Sequence, residues 1–143
     1  EAAQPAIRAL LRGGHRAEQR ALASFIEEGH YARHLAAMRR LYRKRQAQLR
    51  AVLGEELSVP HELMAGEGGL HMTVAIDGID DVSLVRQARA HQMTPSALST
   101  FYLDRQHART GLVLGYGNTS ASQFAPAIRT LQRLIVPLRR GQG

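Results

Sequence analysis

Midway along its 143 residues the apolar spacing of this chain changes from helical to strand-like, and few architectures accommodate that order. Before the change, Leu35, Met38, Tyr42, Leu49 and Leu53 fall on one stripe, which predicts a helix over 30–53 stopped by Gly54. Ala21, Leu22, Phe25 and Ile26 recur in the same way and predict a preceding helix over 17–28, broken or kinked at Gly29. Pro5, with Ile7, Leu10 and Leu11, predicts a short opening helix ended by Gly13 and Gly14.

After the change, residues 70–76 read as a strand between the turn residues Gly68-Gly69 and Asp77-Gly78. Asp80 or Asp81 is placed to cap a helix through about 91 whose inner side is Leu84, Val85 and Ala88. Met93-Thr94-Pro95 reads as a short edge segment, where the missing proline N–H does no harm. Residues 112–116 are mostly apolar, so that strand is expected to be covered on both faces. Ser120 or Ser122 then caps a terminal helix with Phe124, Ile128, Leu131, Leu134 and Ile135 inside. The predicted fold class is α+β, with long N-terminal helices followed by a small sheet covered by helices. One domain is expected across 1–143, with 1–16 and 139–143 peripheral. The chain does not open on methionine and reads as a piece of a larger protein.

Chemistry is sparsely supplied. The absence of cysteine removes thiolate nucleophiles and thiolate metal sites together. His30 and His34 have the helical spacing of two metal ligands, but Tyr31, Ala32 and Arg33 between them supply no acid, and arginine opposes a cation. No metal site is therefore assigned. His71 reads as a structural histidine within its strand. Lys44, the only lysine, stands between Arg43 and Arg45, where a solvated ammonium has no dry pocket for imine chemistry. No catalytic and no cofactor-binding residue is assigned. Gly66-Glu67-Gly68-Gly69 precedes a strand rather than opening a helix, which makes it a turn and not a phosphate cradle. A net charge of +7 and the basic run Arg33, Arg39, Arg40, Arg43, Lys44 and Arg50 admit a nucleic-acid-binding module. A solvated helix face or a subunit contact is the commoner origin of such a run.

The run Phe25-Ile26-Glu27-Glu28-Gly29-His30-Tyr31-Ala32-Arg33-His34-Leu35, with Met38-Arg39, Tyr42 and Arg45, resembles the C-terminal part of MocR-type regulators, a branch of the GntR family. Gly69-Leu70-His71-Met72 and Gly111-Leu112-Val113-Leu114-Gly115-Tyr116-Gly117-Asn118 agree with later stretches, so the resemblance spans about 19–134. Such regulators join a winged-helix DNA-binding domain to a module with the fold of type I aminotransferases, which holds pyridoxal 5′-phosphate. The resemblance implies that this chain is the small C-terminal subdomain of that module. It would close over a cleft supplied mainly by an absent large domain, and would sense a small amine or vitamin-related effector. DNA would be bound only through the absent winged-helix domain, the parent would be a cytoplasmic homodimer, and the cofactor would not be bound covalently by this chain. The small domain of a genuine aminotransferase is the alternative. Related aminotransferases place a carboxylate-gripping arginine two residues after the glycine matched by Gly111; here that residue is Val113, and Arg109 is the nearest substitute. Val113 and Arg109 are thus the candidate substrate-binding residues.

Overall fold

The computed structural model describes Pro5 and residues 16–64, 69–104 and 106–139. The opening helix expected beyond Pro5, the turn at 66–68 and the tail at 140–143 lie outside those residues. By packing, the chain divides into two compact units, 1–41 and 42–143.

In the first unit, helix α1 spans Arg16–Glu27 and buries none of its residues, so the predicted stripe is present but uncovered. Gly29 sits at φ +76°, the left-handed geometry that ends a helix with little strain only in glycine. Helix α2, His30–Glu56, starts directly after it, and Phe25 stacks on the His30 ring at 5.6 Å between centroids.

The second unit holds the core. There α2 buries Leu49 and Leu53, and Gly54 does not stop it as the sequence had suggested. The backbone carries on to Glu56, and Leu57 N–H still reaches the Leu53 carbonyl. A glycine inside a helix costs only about 1 kcal/mol, which Leu53 and Leu57 offset by burial on either side of it. Nothing lies within 4 Å of where a Gly54 Cβ would stand. Gly54→Ala is therefore expected to raise stability by about 1 kcal/mol. A urea midpoint that does not rise would contradict this.

Four short strands follow the order β1-β2-β4-β3, every neighbouring pair antiparallel. They are β1 Glu62–Leu63, β2 His71–Ala75, β3 Ser96–Ala97 and β4 Gly111–Gly115. The pair β1 was missed in the sequence because two residues carry no period. The edge strand lies at Ser96–Ala97 and not at 93–95: the Met93 N–H returns to the Ala88 carbonyl, which holds the chain at the end of the preceding helix. That helix, α3, is Asp81–Arg89, with Leu84 and Ala88 fully buried. A terminal helix α4, Phe124–Arg139, completes the layer with Phe124, Ile128, Leu131 and Ile135 inside. Ser120 makes no capping bond to the backbone, since its hydroxyl meets that of Ser122 at 2.9 Å and one 3₁₀ turn, Ala121–Gln123, leads into α4 instead. Together these elements form an α+β layer, a small sheet covered by helices.

Asp80 is the cap of α3, accepting from Ser83 N–H at 2.9 Å. Hydrogen bonds from the Ser83 side chain and then its backbone hold the Asp80 carboxyl below the usual carboxylate range. A depressed folded value means the cap stabilises fully above the unfolded pKa of about 3.9 and is lost as pH falls through the folded one. Asp80→Ala should cost about 1 kcal/mol at neutral pH. The gap from the parent sequence should close as the pH drops below about 4; denaturation midpoints at both pH values test this.

Candidate functional site

Strand alternation divides the sheet into two unlike faces. Met72, Val74 and Ile76 from β2 and its extension, with Leu112, Leu114 and Tyr116 from β4, all lie in the core under the helices. Their neighbours point the other way. Register places Thr73, Val113 and Ser96 in one row across the open face, and His71 opposite Gly115 in the next. Val113 and Thr73 are half-buried, while Ser96, His71 and Gly115 are exposed. The expectation that β4 would be covered on both faces holds at its buried Gly111 end and is corrected toward Gly115, which is exposed. Its apolar run misled because Gly115 and one valine supply the open part, where a charged alternation would have revealed it. His71, expected to be held structurally, instead stands exposed on that face, its ring 3.6 Å from where a Gly115 Cβ would be.

The open face is pinned from one end by a buried carboxylate. Asp81, 2% exposed, accepts from Ser99 N–H at 2.9 Å, from the Ser99 hydroxyl at 2.7 Å and from Gly111 N–H at 3.1 Å. It thus ties the start of α3 to a 3₁₀ turn, Leu98–Phe101, and to the first residue of β4. The sequence offered Asp81 only as an alternative cap, and neither Ser99 nor this role for Gly111 carried a recognisable signal. At the far end of β4, Arg45 donates to the Gly117 carbonyl and the Tyr116 hydroxyl donates to the Gly69 carbonyl at 2.8 Å.

Val113 and Arg109 are placed apart. Val113 is at the middle of β4, paired with Thr73 and Ser96. Arg109 lies four residues earlier, about 13 Å along an extended strand, and donates to Glu62 Oε2 at 2.7 Å with a second nitrogen 3.6 Å from Asp77 Oδ2. The hydrogen bond to Glu62, with the charges of Glu62 and Asp77, raises the Arg109 pKa above its ordinary value. No group of three metal-ligating side chains occurs among the described residues. In the first unit, the His30 ring faces Arg33 at 3.0 Å and Glu28 at 3.3 Å. Arg33, Arg39, Arg40, Arg43, Lys44 and Arg50 are all exposed. No described helix is long and apolar enough to cross a membrane.

No family model matches the chain. It is similar to the HTH-type transcriptional regulator YhdI of Bacillus subtilis (strain 168), 31% identical over 121 residues that make up 84% of this chain and 26% of that protein. It is also 29% identical to the probable rhizopine catabolism regulatory protein MocR of Rhizobium meliloti, over 84% of this chain and 24% of the other. HTH-type regulator YdeL of Bacillus subtilis is 26% identical over 80% of this chain and 25% of its own. The chain spans about a quarter of the length of these curated relatives. Among solved structures, the multiple substrate aminotransferase of Thermococcus profundus superposes with a TM-score of 0.71 at 18% identity, over 82% of this chain and 29% of that one. The shared fold is that of a fold-type I aminotransferase.

Proposed function

We infer from the homology of this chain to GntR/MocR-type HTH transcriptional regulators that it is the small subdomain of an effector-sensing module in a longer regulator. The single observation that supports this reading most is the pairing of regulator relatives with an aminotransferase fold, each over about four-fifths of the chain. In this reading the helices stabilise one face of the sheet, and the other face closes over a cleft supplied mainly by the large domain of the parent. Effector binding favours one closure state and so repositions a winged-helix domain on DNA. The parent is a cytoplasmic homodimer, and DNA contact belongs to its winged-helix domain.

Pyridoxal 5′-phosphate is the cofactor that the fold family implies, and the residues of this chain do not fit it. The only lysine, Lys44, is exposed on α2, so no enclosed amine is offered to an aldehyde. The coenzyme is accordingly assigned to the rest of the parent polypeptide. Val113 forms an apolar wall facing the cleft, and the effector is a small amine or vitamin-related molecule that need not carry an α-carboxylate. Arg109 serves as a carboxylate anchor only by exchanging Glu62 and Asp77 for the ligand.

The aminotransferase neighbour favours a second reading, in which the parent is an enzyme and the same closure excludes water from its reaction. Purified parent protein titrated with pyridoxal 5′-phosphate should develop a stoichiometric visible imine band and shift promoter DNA in an effector-dependent way. Catalytic turnover of an amine without any DNA shift would favour the enzyme. An imine mapped to Lys44 would overturn both.

A further inference from the structure

We propose that Thr73 and Ser96, the hydroxyl-bearing residues on either side of Val113, bind a vicinal diol on the effector, so that the effector is an amine carrying adjacent hydroxyls. The inference deepens the proposed function, in which Val113 faces the cleft, and rests on it.

Strand register builds the row. Thr73 from β2 and Ser96 from β3 are both registered on Val113, so the three side chains stand abreast on the open face. Met64 continues the row beyond Thr73, since its N–H donates to the Thr73 carbonyl at 3.0 Å. Met64, Thr73, Val113 and Ser96 are all uncharged. The next row carries Glu62, registered on Ala75, but Arg109 already donates to that carboxylate at 2.7 Å.

Nearby hydroxyls are engaged inside the fold. Ser99 donates to Asp81, Thr100 to the Ala97 carbonyl and Thr110 to the Ile76 carbonyl. Those of Thr73 and Ser96 have no partner among the described residues. Thr73 is half-buried, yet no buried side-chain polar atom among the described residues lacks a partner, so its hydroxyl opens onto the face. A ligand that supplies the missing bond is selected over an analogue that cannot.

The spacing of the two hydroxyls chooses the ligand group. Ile76 N–H donates to the Thr110 carbonyl and Tyr116 N–H to the Leu70 carbonyl, so even-numbered residues of β4 and its extensions bond to β2 and odd-numbered ones face β3. Thr73 and Val113 are then a narrow pair and Val113 and Ser96 a wide one, which sets the Thr73 and Ser96 Cα atoms about 10 Å apart. A single oxygen is too small to meet both hydroxyls across that span. Two oxygens on adjacent carbons, with a hydrogen bond of about 2.8 Å at each end, fill it while their C–H edges rest on Val113. A carboxylate also offers two oxygens, but it would lose hydration against a row that holds no cation.

Calorimetry on the purified full-length parent tests this with amines of similar size: isoserinol, a vicinal amino diol; methylbutylamine, with a methyl in place of each hydroxyl; and β-alanine, with a carboxylate instead. Isoserinol should bind on the order of tenfold more tightly than methylbutylamine. Ser96→Ala and Thr73→Val should each weaken isoserinol binding about fivefold and leave methylbutylamine binding unchanged. Val113→Arg should move the preference to β-alanine, because a guanidinium fork supplies the missing cation. Equal binding of isoserinol and methylbutylamine, no binding of isoserinol, a preference of the unaltered protein for β-alanine, or variants that weaken every amine alike would overturn the proposal. Imine formation and promoter shift are scored separately on the same samples. A parent that proves to be an enzyme keeps the diol preference, and a regulator without that preference sinks this proposal alone.

Discussion

Gly111→Ala is expected to lower stability by about 3–5 kcal/mol, enough to unfold a domain of ordinary marginal stability. A Cβ at this position would stand 2.1 Å from the Val74 carbonyl oxygen and 2.8 Å from the Ala75 Cα. Both obstacles are backbone of the paired central strand β2, which has no flexible end to swing aside. The residue also holds φ +150°, a conformation that L side chains rarely adopt. Relief would require β2 and β4 to part at the point where Asp81 clamps Gly111 N–H, so strain and hydrogen bond are lost together. Thermal unfolding of the variant beside Gly54→Ala reads the contrast directly: one glycine holds the fold shut and the other merely weakens a helix. A Gly111→Ala protein that melts within a few degrees of the parent sequence would contradict the geometry.

The second large effect falls on Asp81. Asp81→Ala leaves the Ser99 N–H and hydroxyl and the Gly111 N–H without their acceptor inside the fold. At about 1–3 kcal/mol for each unsatisfied buried group, partly relieved by water, the expected loss is about 3–4 kcal/mol. Asp81→Asn keeps one acceptor oxygen and should recover part of it. A double variant with Ser99→Ala should cost less than the sum of the two single changes, because both remove the same bonds. Strict additivity in denaturant titrations would show that Asp81 acts through something other than this network.

The helical half of the fold was largely legible because long amphipathic periods survive local exceptions. Leu49 and Leu53 sit where the stripe placed them, and Asp80 caps α3 as its position ahead of an apolar run suggested. The sheet was legible only where a strand had five residues. Two-residue strands such as Glu62–Leu63 carry no alternation, and the edge strand was placed too early, at 93–95, because proline signals an edge without fixing its register. Gly54 misled for a related reason: glycine marks helix ends only where the chain turns left-handed, as at Gly29, and Gly54 has no positive φ. At the candidate site, the position of Val113 was accessible through family resemblance, whereas the one-sided burial of β4 was not. Hydropathy cannot separate a valine facing solvent from one facing a helix. The Asp81 hub was hidden because its three bonds join segments 18 and 30 residues away.

Interleaving has an evolutionary corollary. Along β2 and β4 the residues that make the domain fold and the residues of the open face take turns, Met72 and Val74 against Thr73, Leu112 and Leu114 against Val113. Selection can therefore rewrite what this surface recognises, one outward position at a time, while the inward set stays fixed. The chemistry of the open face and foldability are encoded on the same short stretch of chain yet are free to drift independently.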